Sequence, residues 1–415
     1  MQHDPSEIIV IGGGIIGVST ALELSRNGFQ VTLLDRKGIA AEASKGNAGA
    51  YAFTDIVPLA TPGIMKKAPK WLLDPLGPLF IPPSYALKIT PWMLRFWRAS
   101  WKDRYQGAME AQASLNNHSR AALERQIDAV RGEAMFQREG QMQLYEGQKE
   151  FEASLPSWEI RKQHDIRFDL LTSNEAIAEI QPGIDPRFTH AGFTPDWINV
   201  CCPERWTHYL AEQYLTNGGK LITEEVRNLK QSGEIVEITT DQTTYRAKKV
   251  IVASGAWSHQ LAAMVGDRIP LETERGYNTT LPEGAFDLRT HLTFTNHGFV
   301  VSRINAGVRV GGAAELGGLK LPPNYKRSEI LLNKAKKFLP SLNTDNGKQW
   351  MGFRPSMPDS LPVIGTSSKA NNIIYAFGHG HLGLTQAAGT AELVASLVCN
   401  KPAPLSLAPF NPDRF

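Results

Sequence analysis

Three glycines near the start of the chain constrain its fold more than any other residues. Gly12, Gly14 and Gly17 follow an apolar run, Ile8 to Ile11, and a second apolar run further on ends on the acidic Asp35. In a turn from strand to helix, the first glycine permits the tight turn, the second lets the backbone approach a pyrophosphate, and the third lets the helix pack close to the strand. This order predicts a βαβ unit that binds a dinucleotide.

The helix after these glycines is predicted over residues 15–27. Its first N–H groups, at Ile15 and Ile16, and the positive end of its dipole would face the phosphates. Asp35 ends the second strand, where a carboxylate accepts hydrogen bonds from both ribose hydroxyls. An acidic residue at this position disfavours a 2′-phosphate, so NADP is not expected. Arg36 follows it and is included in the predicted nucleotide site.

Length and charge narrow the class of protein. A chain of 415 residues with 42% hydrophobic content can bury a large core and is long enough for about two domains. A net charge of +3 gives no reason to expect a nucleic-acid partner. The three cysteines form no disulfide framework or CxxC motif, and the ten histidines show no metal-ligand spacing, so no metal is predicted.

Targeting signals are the next feature. The opening residues, MQHDPSE, lack the basic and apolar regions of a secretory signal, and no apolar run reaches the length of a membrane-spanning helix. We therefore expect a cytoplasmic protein. Residues 62–105 also hold four of the nine tryptophans, together with prolines and basic residues. These side chains, Trp71, Trp92, Trp97 and Trp101, could form a lid, contact a membrane, or pack against the body of the protein, and packing is the simplest interpretation.

The rest of the chain returns to the nucleotide-binding pattern twice. "VIVASGAWS" reads as a buried parallel strand with a small-residue turn, and the C-terminal part is again strand, glycine turn and helix. Residues 269–315 alternate as in an antiparallel sheet. We predict an α/β fold with a discontinuous Rossmann-like domain from residues 1–60, 195–262 and 346–415, and an antiparallel-sheet substrate domain from residues 61–194 and 263–345.

Several stretches share their pattern with one family: "IVIGGGIIGVSTALELSRNGFQVTLLDR", "EASKGNAGAY", "VIVASGAWS", "GFRPSMPDSLPVIG" and "GHGHLGLTQAAGTAELVASLV". On these stretches the chain resembles the D-amino-acid oxidase and glycine oxidase superfamily, and within it the bacterial D-amino-acid dehydrogenases. The resemblance spans nearly the whole chain. It implies FAD as the cofactor, without a covalent bond, because "GFRPSMPD" has no cysteine where sarcosine-type amine oxidases carry one.

The resemblance also implies which residues hold FAD. The backbone N–H groups of "GHGHLGLT" would lie at a helix N-terminus, which stabilises the negative charge of a reduced flavin. The implied cofactor-binding residues are Gly12, Gly14, Ile15, Ile16, Gly17, Asp35, Arg36, Ser44, Asn47, Ala48, Gly49, Val226, Ala253, Gly255, Trp257, Gly380, His381, Leu382, Gly383, Leu384 and Thr385.

Two arginines are the candidates for binding a substrate carboxylate. Arg275 in "ERGY" and Arg354 in "GFRPSMPD" match positions where relatives place a guanidinium group, which can form two parallel charge-assisted bonds. Either arginine could instead form a structural ion pair, with Glu272 or Glu274 as an acidic neighbour of Arg275. Tyr277, on the same strand face as Arg275, could close the pocket or belong to the core. His379 and His381 in the flavin loop could be catalytic or structural.

The resemblance implies the reaction. The chain would oxidise a small or cyclic D-amino acid, with "LETERGYN" resembling relatives that act on D-proline or hydroxy-D-proline. The Cα hydrogen would pass as hydride to flavin N5, and the imino acid would hydrolyse to a 2-oxo acid. Catalysis would rest on orientation and a water-poor pocket. The resemblance of residues 62–105 to respiratory dehydrogenases implies a quinone-type acceptor and peripheral contact with the inner face of the cell membrane.

Three alternatives stay open at the level of sequence. The enzyme could be an oxidase that passes electrons to oxygen and forms hydrogen peroxide. An NAD-dependent dehydrogenase would suit the first βαβ unit alone, but "GNAGAY" and "GHGHLGLT" argue against it. A non-catalytic FAD-bound subunit of a heteromeric amine dehydrogenase would need neither of the two arginines, and both are present.

Overall fold

The computed structural model describes residues 6–64 and 79–415. Trp71, part of the tryptophan-rich segment, lies outside the described residues. The strands in chain order are β1 (Ser6–Ile11), β2 (Val31–Asp35), β3 (Ala50–Tyr51), β4 (Leu79–Phe80), β5 (Phe136–Gln137), β6 (Gln141–Glu146), β7 (Asp169–Leu171), β8 (Phe188–Thr194), β9 (Ile198–Val200), β10 (Lys220–Thr223), β11 (Val226–Ser232), β12 (Ile235–Thr240), β13 (Thr244–Val252), β14 (Glu272–Leu281), β15 (His291–Phe294), β16 (Phe299–Ile304), β17 (Gly307–Leu316), β18 (Lys348–Ser356), β19 (Val363–Thr366) and β20 (Ile373–Phe377).

Helices separate these strands. The α-helices of the described residues are α1 (Ile15–Arg26), α2 (Ala86–Ala99), α3 (Lys102–Val130), α4 (Gly147–Gln163), α5 (Asn174–Ile180), α6 (Pro203–Thr216), α7 (Ser258–Met264), α8 (Lys326–Phe338) and α9 (Gly383–Val398). Short 3₁₀ helices include Pro83–Tyr85 before α2 and Gly255–Trp257 before α7. Along the described part of the chain, no helix combines the length and the hydropathy needed to cross a membrane.

The first sheet contains the predicted βαβ unit. Its strand order is β10-β2-β1-β13-β12-β11, and β20 and β19 extend it from β13. The pairings between β10, β2, β1, β13 and β20 are parallel. Alternate residues of β1 face two cores, Ile8 and Val10 on one side and Ile9 and Ile11 on the other. The run is apolar throughout because both faces of the sheet are covered.

The second sheet is mainly antiparallel. Its order is β18-β14-β17-β16-β15-β6-β8-β7, with β4 added beside β17. The stretch predicted to alternate, residues 269–315, supplies β14 to β17. Only the pairings β15 with β6 and β17 with β4 are parallel among the described strands of this sheet. The predicted fold class, a Rossmann-like sheet combined with an antiparallel sheet, is confirmed.

Two elements, β18 and α3, pack with a different domain from the one to which the predicted boundaries assigned them. β18 belongs to the second sheet, although residues 346–415 were assigned to the nucleotide-binding domain, because it pairs with β14 from Glu272–Ser356 to Thr280–Lys348. Helix α3 packs on the nucleotide-binding side, although residues 61–194 were assigned to the substrate domain. Its residues Leu115 and Leu123 join the core that contains β1 and α9.

The tryptophans of the tryptophan-rich segment that the structure describes differ in burial. Trp92 is buried against Ile89 and Leu316, as the packing interpretation predicts. Trp97 and Trp101, in contrast, are 45% and 47% exposed. The packing interpretation is therefore correct for Trp92 and wrong for these two residues.

The contact between α9 and α3 gives a test of the fold. A Cβ atom added at Gly389 would lie 2.3 Å from Ser119 Oγ and 2.9 Å from its Cα. Gly389→Ala should therefore lower the free energy of unfolding by about 1–3 kcal/mol through overpacking. Gly107→Ala on α3, where nothing lies within 4 Å, should instead stabilise by up to about 1 kcal/mol. Urea unfolding of both variants measures the difference, and effects of equal sign would contradict this packing.

Candidate active site

A cavity of about 640 Å³ lies where the two sheets meet. One wall comes from the carboxyl ends of β1, β2, β13 and β20, the edge of a parallel sheet at which ligands of such folds bind. The opposite wall comes from the second sheet and includes Gly276, Asn278 and Arg309. The volume lies in the range of small-molecule and cofactor sites.

The glycine turn forms one end of this cavity. Gly12 has φ +126°, and a Cβ atom there would lie 2.3 Å from the carbonyl oxygen of Ala253. A Cβ atom at Gly17 would lie 1.9 Å from the carbonyl oxygen of Gly12. Only glycine fits at these two positions, and the backbone of the turn lies bare to the cavity. This cradle fits a pyrophosphate.

Two helices point their N-termini at the same cavity. Ile15 and Ile16 of α1 and Gly383 and Leu384 of α9 line it. Neither helix has an acidic residue in its first turn, and neither has a capping bond from its N-cap side chain. Both positive dipole ends therefore face the cavity, where they favour a negatively charged ligand. The arrangement suits a ligand with negative charge at two places.

The polar groups around the cradle complete the nucleotide end. Asp35 accepts hydrogen bonds from the N–H groups of Gly13, at 2.7 Å, and Lys37, also at 2.7 Å. The Arg36 guanidinium lies 3.9 Å above the ring of Trp257. Asp35, Arg36, Trp257 and Val226 all line the cavity. A carboxylate positioned by the backbone beside a stacked aromatic ring fits the ribose and base of an adenosine.

Most of the predicted cofactor-binding residues line the cavity, and four do not. Gly17 packs α1 against β1, and Gly49 lies against the carbonyl oxygen of Val200. Leu382 is buried in a small cluster, and Thr385 accepts a hydrogen bond from the Ala52 N–H at 2.9 Å. In this structure these four residues shape the walls around the cavity. The residues that line it are Gly12, Gly14, Ile15, Ile16, Asp35, Arg36, Ser44, Asn47, Ala48, Val226, Ala253, Gly255, Trp257, Gly380, His381, Gly383 and Leu384.

Arg354 places a guanidinium group in the cavity. It lies on β18 opposite Glu274 of β14, and a Cβ atom at Gly276 would lie 2.5 Å from its Nη2. Its one hydrogen bond to a described residue is from Nη1 to the carbonyl oxygen of Ala313 at 3.3 Å. Burial lowers the pKa of Arg354, and Glu274 opposes this. The guanidinium therefore has donors free for a carboxylate.

Arg275 does not reach the cavity, contrary to the prediction. Its side chain is 0% exposed and donates to the carbonyl oxygens of Gly318 at 2.8 Å and Leu321 at 2.7 Å. Its Nη1 pairs with Glu315 at 3.2 Å. Side chains alternate along a strand, so Arg275 points away from the face that carries Glu274. Its role is structural.

Tyr277 lies on the same face of β14 as Arg275, as predicted. That face points toward Glu315, so the Tyr277 hydroxyl is not directed at a substrate in the cavity. The hydroxyl donates to Glu315 at 3.0 Å and accepts from the Asn324 N–H at 3.1 Å. Burial raises the pKa of Tyr277. Tyr277 nevertheless contributes to the cavity wall. The carboxylate that pairs with Arg275 is Glu315, and the Glu272 carboxylate accepts instead from the Tyr85 hydroxyl at 3.0 Å.

The two histidines of the terminal loop differ. His379 is buried, its Nε2 lies 2.9 Å from Thr390 Oγ1, and burial lowers its pKa to about 3. His381 lines the cavity near Arg354. The His381 side chain is exposed to the cavity, but the protein atoms around it still remove water and lower its pKa; Asp55 and Glu274 oppose this, and Arg354 lowers the pKa further. Both rings are therefore neutral at pH 7. Both residues line the cavity, but His379 is buried in its wall whereas His381 is exposed to it.

Four functional candidates were missed by the sequence analysis. Asp55, Arg309, Gln141 and His291 all line the cavity. Arg309 donates to the carbonyl oxygen of Asn47, and burial lowers its pKa to about 10. The signal for Gln141 and His291 was the alternation in "QMQL" and "HLTF", which places polar residues on one face of each strand. Asp55 and Arg309 had no comparable signal.

Comparison with known proteins identifies the class. The family described as FAD dependent oxidoreductase matches residues 7–397. A D-amino-acid oxidase from Bradyrhizobium diazoefficiens is 35% identical over 416 residues, 98% of each chain. A D-amino acid dehydrogenase from Rhizobium rhizogenes is 29% identical over 99% of this chain and 100% of its own.

Solved structures agree on the fold. Glycine oxidase from Geobacillus kaustophilus superposes with a TM-score of 0.78 at 20% identity, over the whole of both chains. L-proline dehydrogenase from P. horikoshii superposes with a TM-score of 0.77 at 20% identity, over 100% of this chain and 98% of its own. The protein is thus a flavin-dependent redox enzyme. It belongs to the FAD-dependent oxidoreductase family, and its cofactor is FAD, which confirms the predicted family and cofactor.

The buried histidines predict how stability depends on pH. Burial lowers the pKa values of His291 and His379 to about 3, against about 6.5 in an unfolded chain. Between these pH values the unfolded state binds more protons, so their contribution is complete above pH 6.5 and is lost as the pH falls. Each histidine should lower the free energy of unfolding by about 1.4 kcal/mol per pH unit in this window.

Urea unfolding between pH 7 and pH 5, with FAD in excess, measures this slope. His379→Asn should reduce the slope by about 1.4 kcal/mol per pH unit, the contribution of one histidine. His208→Asn, at an exposed position on α6, is the matched control and should leave the slope unchanged. An unchanged slope in His379→Asn would contradict the assignment.

Proposed function

We propose that the protein oxidises a small or cyclic D-amino acid, with D-proline and hydroxy-D-proline among the candidates, to an imino acid that hydrolyses to a 2-oxo acid. The observation that carries this proposal is the Arg354 guanidinium, which lines the cavity and has one hydrogen bond, of 3.3 Å, to the residues that the structure describes. The names of the relatives, D-amino-acid oxidase and D-amino acid dehydrogenase, support the substrate class.

The residues around Arg354 suit a bound amino acid. The guanidinium would hold the carboxylate by two parallel bonds, which orients the Cα atom. The neutral His381 ring lies within electrostatic range of Arg354 and Asp55, and its unprotonated nitrogen would accept a proton from the substrate ammonium group. FAD, when bound, supplies the hydride acceptor. Trp197, Phe299 and other apolar side chains of the wall would exclude water.

Replacement of Arg354 tests this role. Anaerobic D-alanine or D-proline should bleach the flavin of the wild-type protein, whereas L-amino acids should not. Arg354→Met removes one partner of a buried charge pair with the substrate, worth roughly 2–5 kcal/mol, so kcat/KM should fall at least 30-fold, by an order-of-magnitude estimate. The flavin spectrum before substrate should stay that of the wild type.

Arg275→Met is the contrasting variant. It should lower the free energy of unfolding by roughly 3–5 kcal/mol, because it leaves a buried carboxylate without this partner, and kcat/KM of the folded fraction should fall much less than in Arg354→Met. An Arg354→Met enzyme with unchanged kcat/KM would argue against the proposal. Protein that binds FAD but is bleached by no amino acid would favour the non-catalytic subunit instead.

The proposed electron acceptor is a quinone at a membrane surface. Leu87, Leu94 and Trp97 lie on one face of α2 and are exposed, and Trp101 follows on the same side. Exposed basic residues, Lys88, Arg95 and Lys102, flank this face. An amphipathic helix with aromatic and basic residues suits the interface of an anionic membrane. Oxygen is the second candidate, because the relative at 35% identity is named an oxidase.

Sedimentation with phosphatidylglycerol vesicles tests the membrane contact. Wild-type protein should sediment with the vesicles at low salt, and the double change Leu94→Glu with Trp97→Glu should abolish this without loss of FAD. Leu155→Glu, at an exposed leucine on α4, is the matched control and should have no effect. Wild-type protein that stays in the supernatant and forms peroxide as fast as imino acid would establish the oxidase alternative.

A further inference from the structure

We infer that the cavity wall formed by β6 and β15 binds an uncharged, hydrogen-bonding side chain of the substrate. D-Amino acids with a hydroxyl or carboxamide group would then be preferred over hydrocarbon analogues of the same shape. The inference rests on the proposed oxidation of D-amino acids and specifies which of them the site selects. We call this surface, made of Gln141, Gln143, His291 and Thr293, the polar wall.

The polar wall follows from strand pairing. β6 and β15 are parallel, with Gln141 beside His291 and Gln143 beside Thr293. All four residues line the cavity. The residues between them, Met142 and Leu292, lie in the apolar core of the second sheet. One face of this strand pair is therefore polar and the other apolar.

A polar face of an antiparallel sheet usually meets water, but this one is enclosed. Gln141 is 1% exposed and His291 is 3% exposed. Gln141 Nε2 donates to Thr293 Oγ1 at 2.8 Å. Oε1 of Gln141, Nδ1 of His291 and Nε1 of Trp197 have no hydrogen-bond partner among the described residues. Such atoms also occur elsewhere among the described residues, but these three belong to neighbouring residues that line one cavity, where a bound ligand can supply the missing partner.

The polar wall lies close to the reacting end of the cavity. The rings of His291 and Trp197 are 5.5 Å apart. Trp197 packs in turn against Leu382, the N-cap residue of α9. That helix N-terminus follows His381, which lines the same cavity as Arg354 and is close enough for Arg354 to lower its pKa. A substrate whose carboxylate binds Arg354 can therefore direct its side chain toward the polar wall.

The polar wall carries no charge, and this favours an uncharged polar group on the substrate side chain. Its side chains are amides, a hydroxyl and His291, which stays neutral because burial lowers its pKa to about 3. The Asp55 carboxylate in the same cavity already lies 3.8 Å from the Arg161 guanidinium. A charged side chain would find no free counter-ion at the polar wall, whereas a hydroxyl or carboxamide both donates and accepts.

Matched substrate pairs test the inference. The pairs are D-threonine with D-valine, D-glutamine with D-methionine, and 4-hydroxy-D-proline with D-proline, followed by anaerobic reduction of the flavin. A site built for a hydrogen bond rejects the analogue that lacks it, so kcat/KM should be at least about 10-fold higher for the polar member of at least one pair.

Two variants locate the effect. His291→Phe and Gln141→Met should each reduce the ratio of kcat/KM for the polar member to kcat/KM for the apolar member by about 10-fold. Gln126→Met, at a buried glutamine of α3 outside the cavity, is the matched control and should change neither. The wild-type comparison stands even if a variant fails to fold.

Three results would overturn the inference. Equal or better oxidation of the apolar members by the wild type would show that the polar wall does not bind the side chain. Equal losses for both members, with a shifted flavin spectrum in both variants, would assign the polar wall to FAD. Absence of flavin bleaching by every D-amino acid would refute the proposed function itself, and the inference with it.

Discussion

The geometry of the active site depends on the buried ion cluster at Glu315. This carboxylate on β17 pairs with Arg275 at 3.2 Å and with Arg327 of α8 at 3.2 Å, and it accepts from the Tyr277 hydroxyl. Arg275 also donates to backbone carbonyls of the loop between β17 and α8. Burying one carboxylate is tolerable only with several such partners. The cluster fixes β14 between β17 and β18, and so places Glu274 and Arg354 at the cavity.

The same strand explains which part of the site the sequence could predict. The glycine turn is local, since strand, turn and helix are contiguous, and its role followed from spacing alone. The two arginines lie in separate strands, and the face that each presents depends on which strand pairs with which. A one-residue difference along β14 decides between Gly276, facing the cavity, and Arg275, facing Glu315. Family resemblance predicted both arginines at the substrate, and of the two only Arg354 lines the cavity.

Contacts between elements that are distant in sequence also explain why the predicted domain boundaries differ from the structure. β18 follows the helix α8 in sequence and precedes the last strands of the nucleotide-binding sheet, yet it pairs with β14 of the second sheet, and both strands border the cavity. Helix α3 lies within the stretch assigned to the substrate domain and nevertheless packs on α9, where Gly389 lets Ser119 approach. β14 and α9, the elements on which β18 and α3 pack, are both distant from them in sequence. Periodicity predicts that an element exists and which face is apolar, but not what covers that face.

The electrostatics of the cavity link its two ends. The N-termini of α1 and α9 and the Arg354 guanidinium all favour negative charge, while the histidines nearby are neutral. Asp55 and Glu274 are the carboxylates that act on His381. A pyrophosphate, a flavin that gains negative charge on reduction, and a substrate carboxylate therefore each have a positive group of their own. The helix dipoles and Arg354 provide these positive groups, so the polar wall does not have to contribute a charge to ligand binding. Selectivity for the substrate side chain is thus separate from the charge that holds the cofactor.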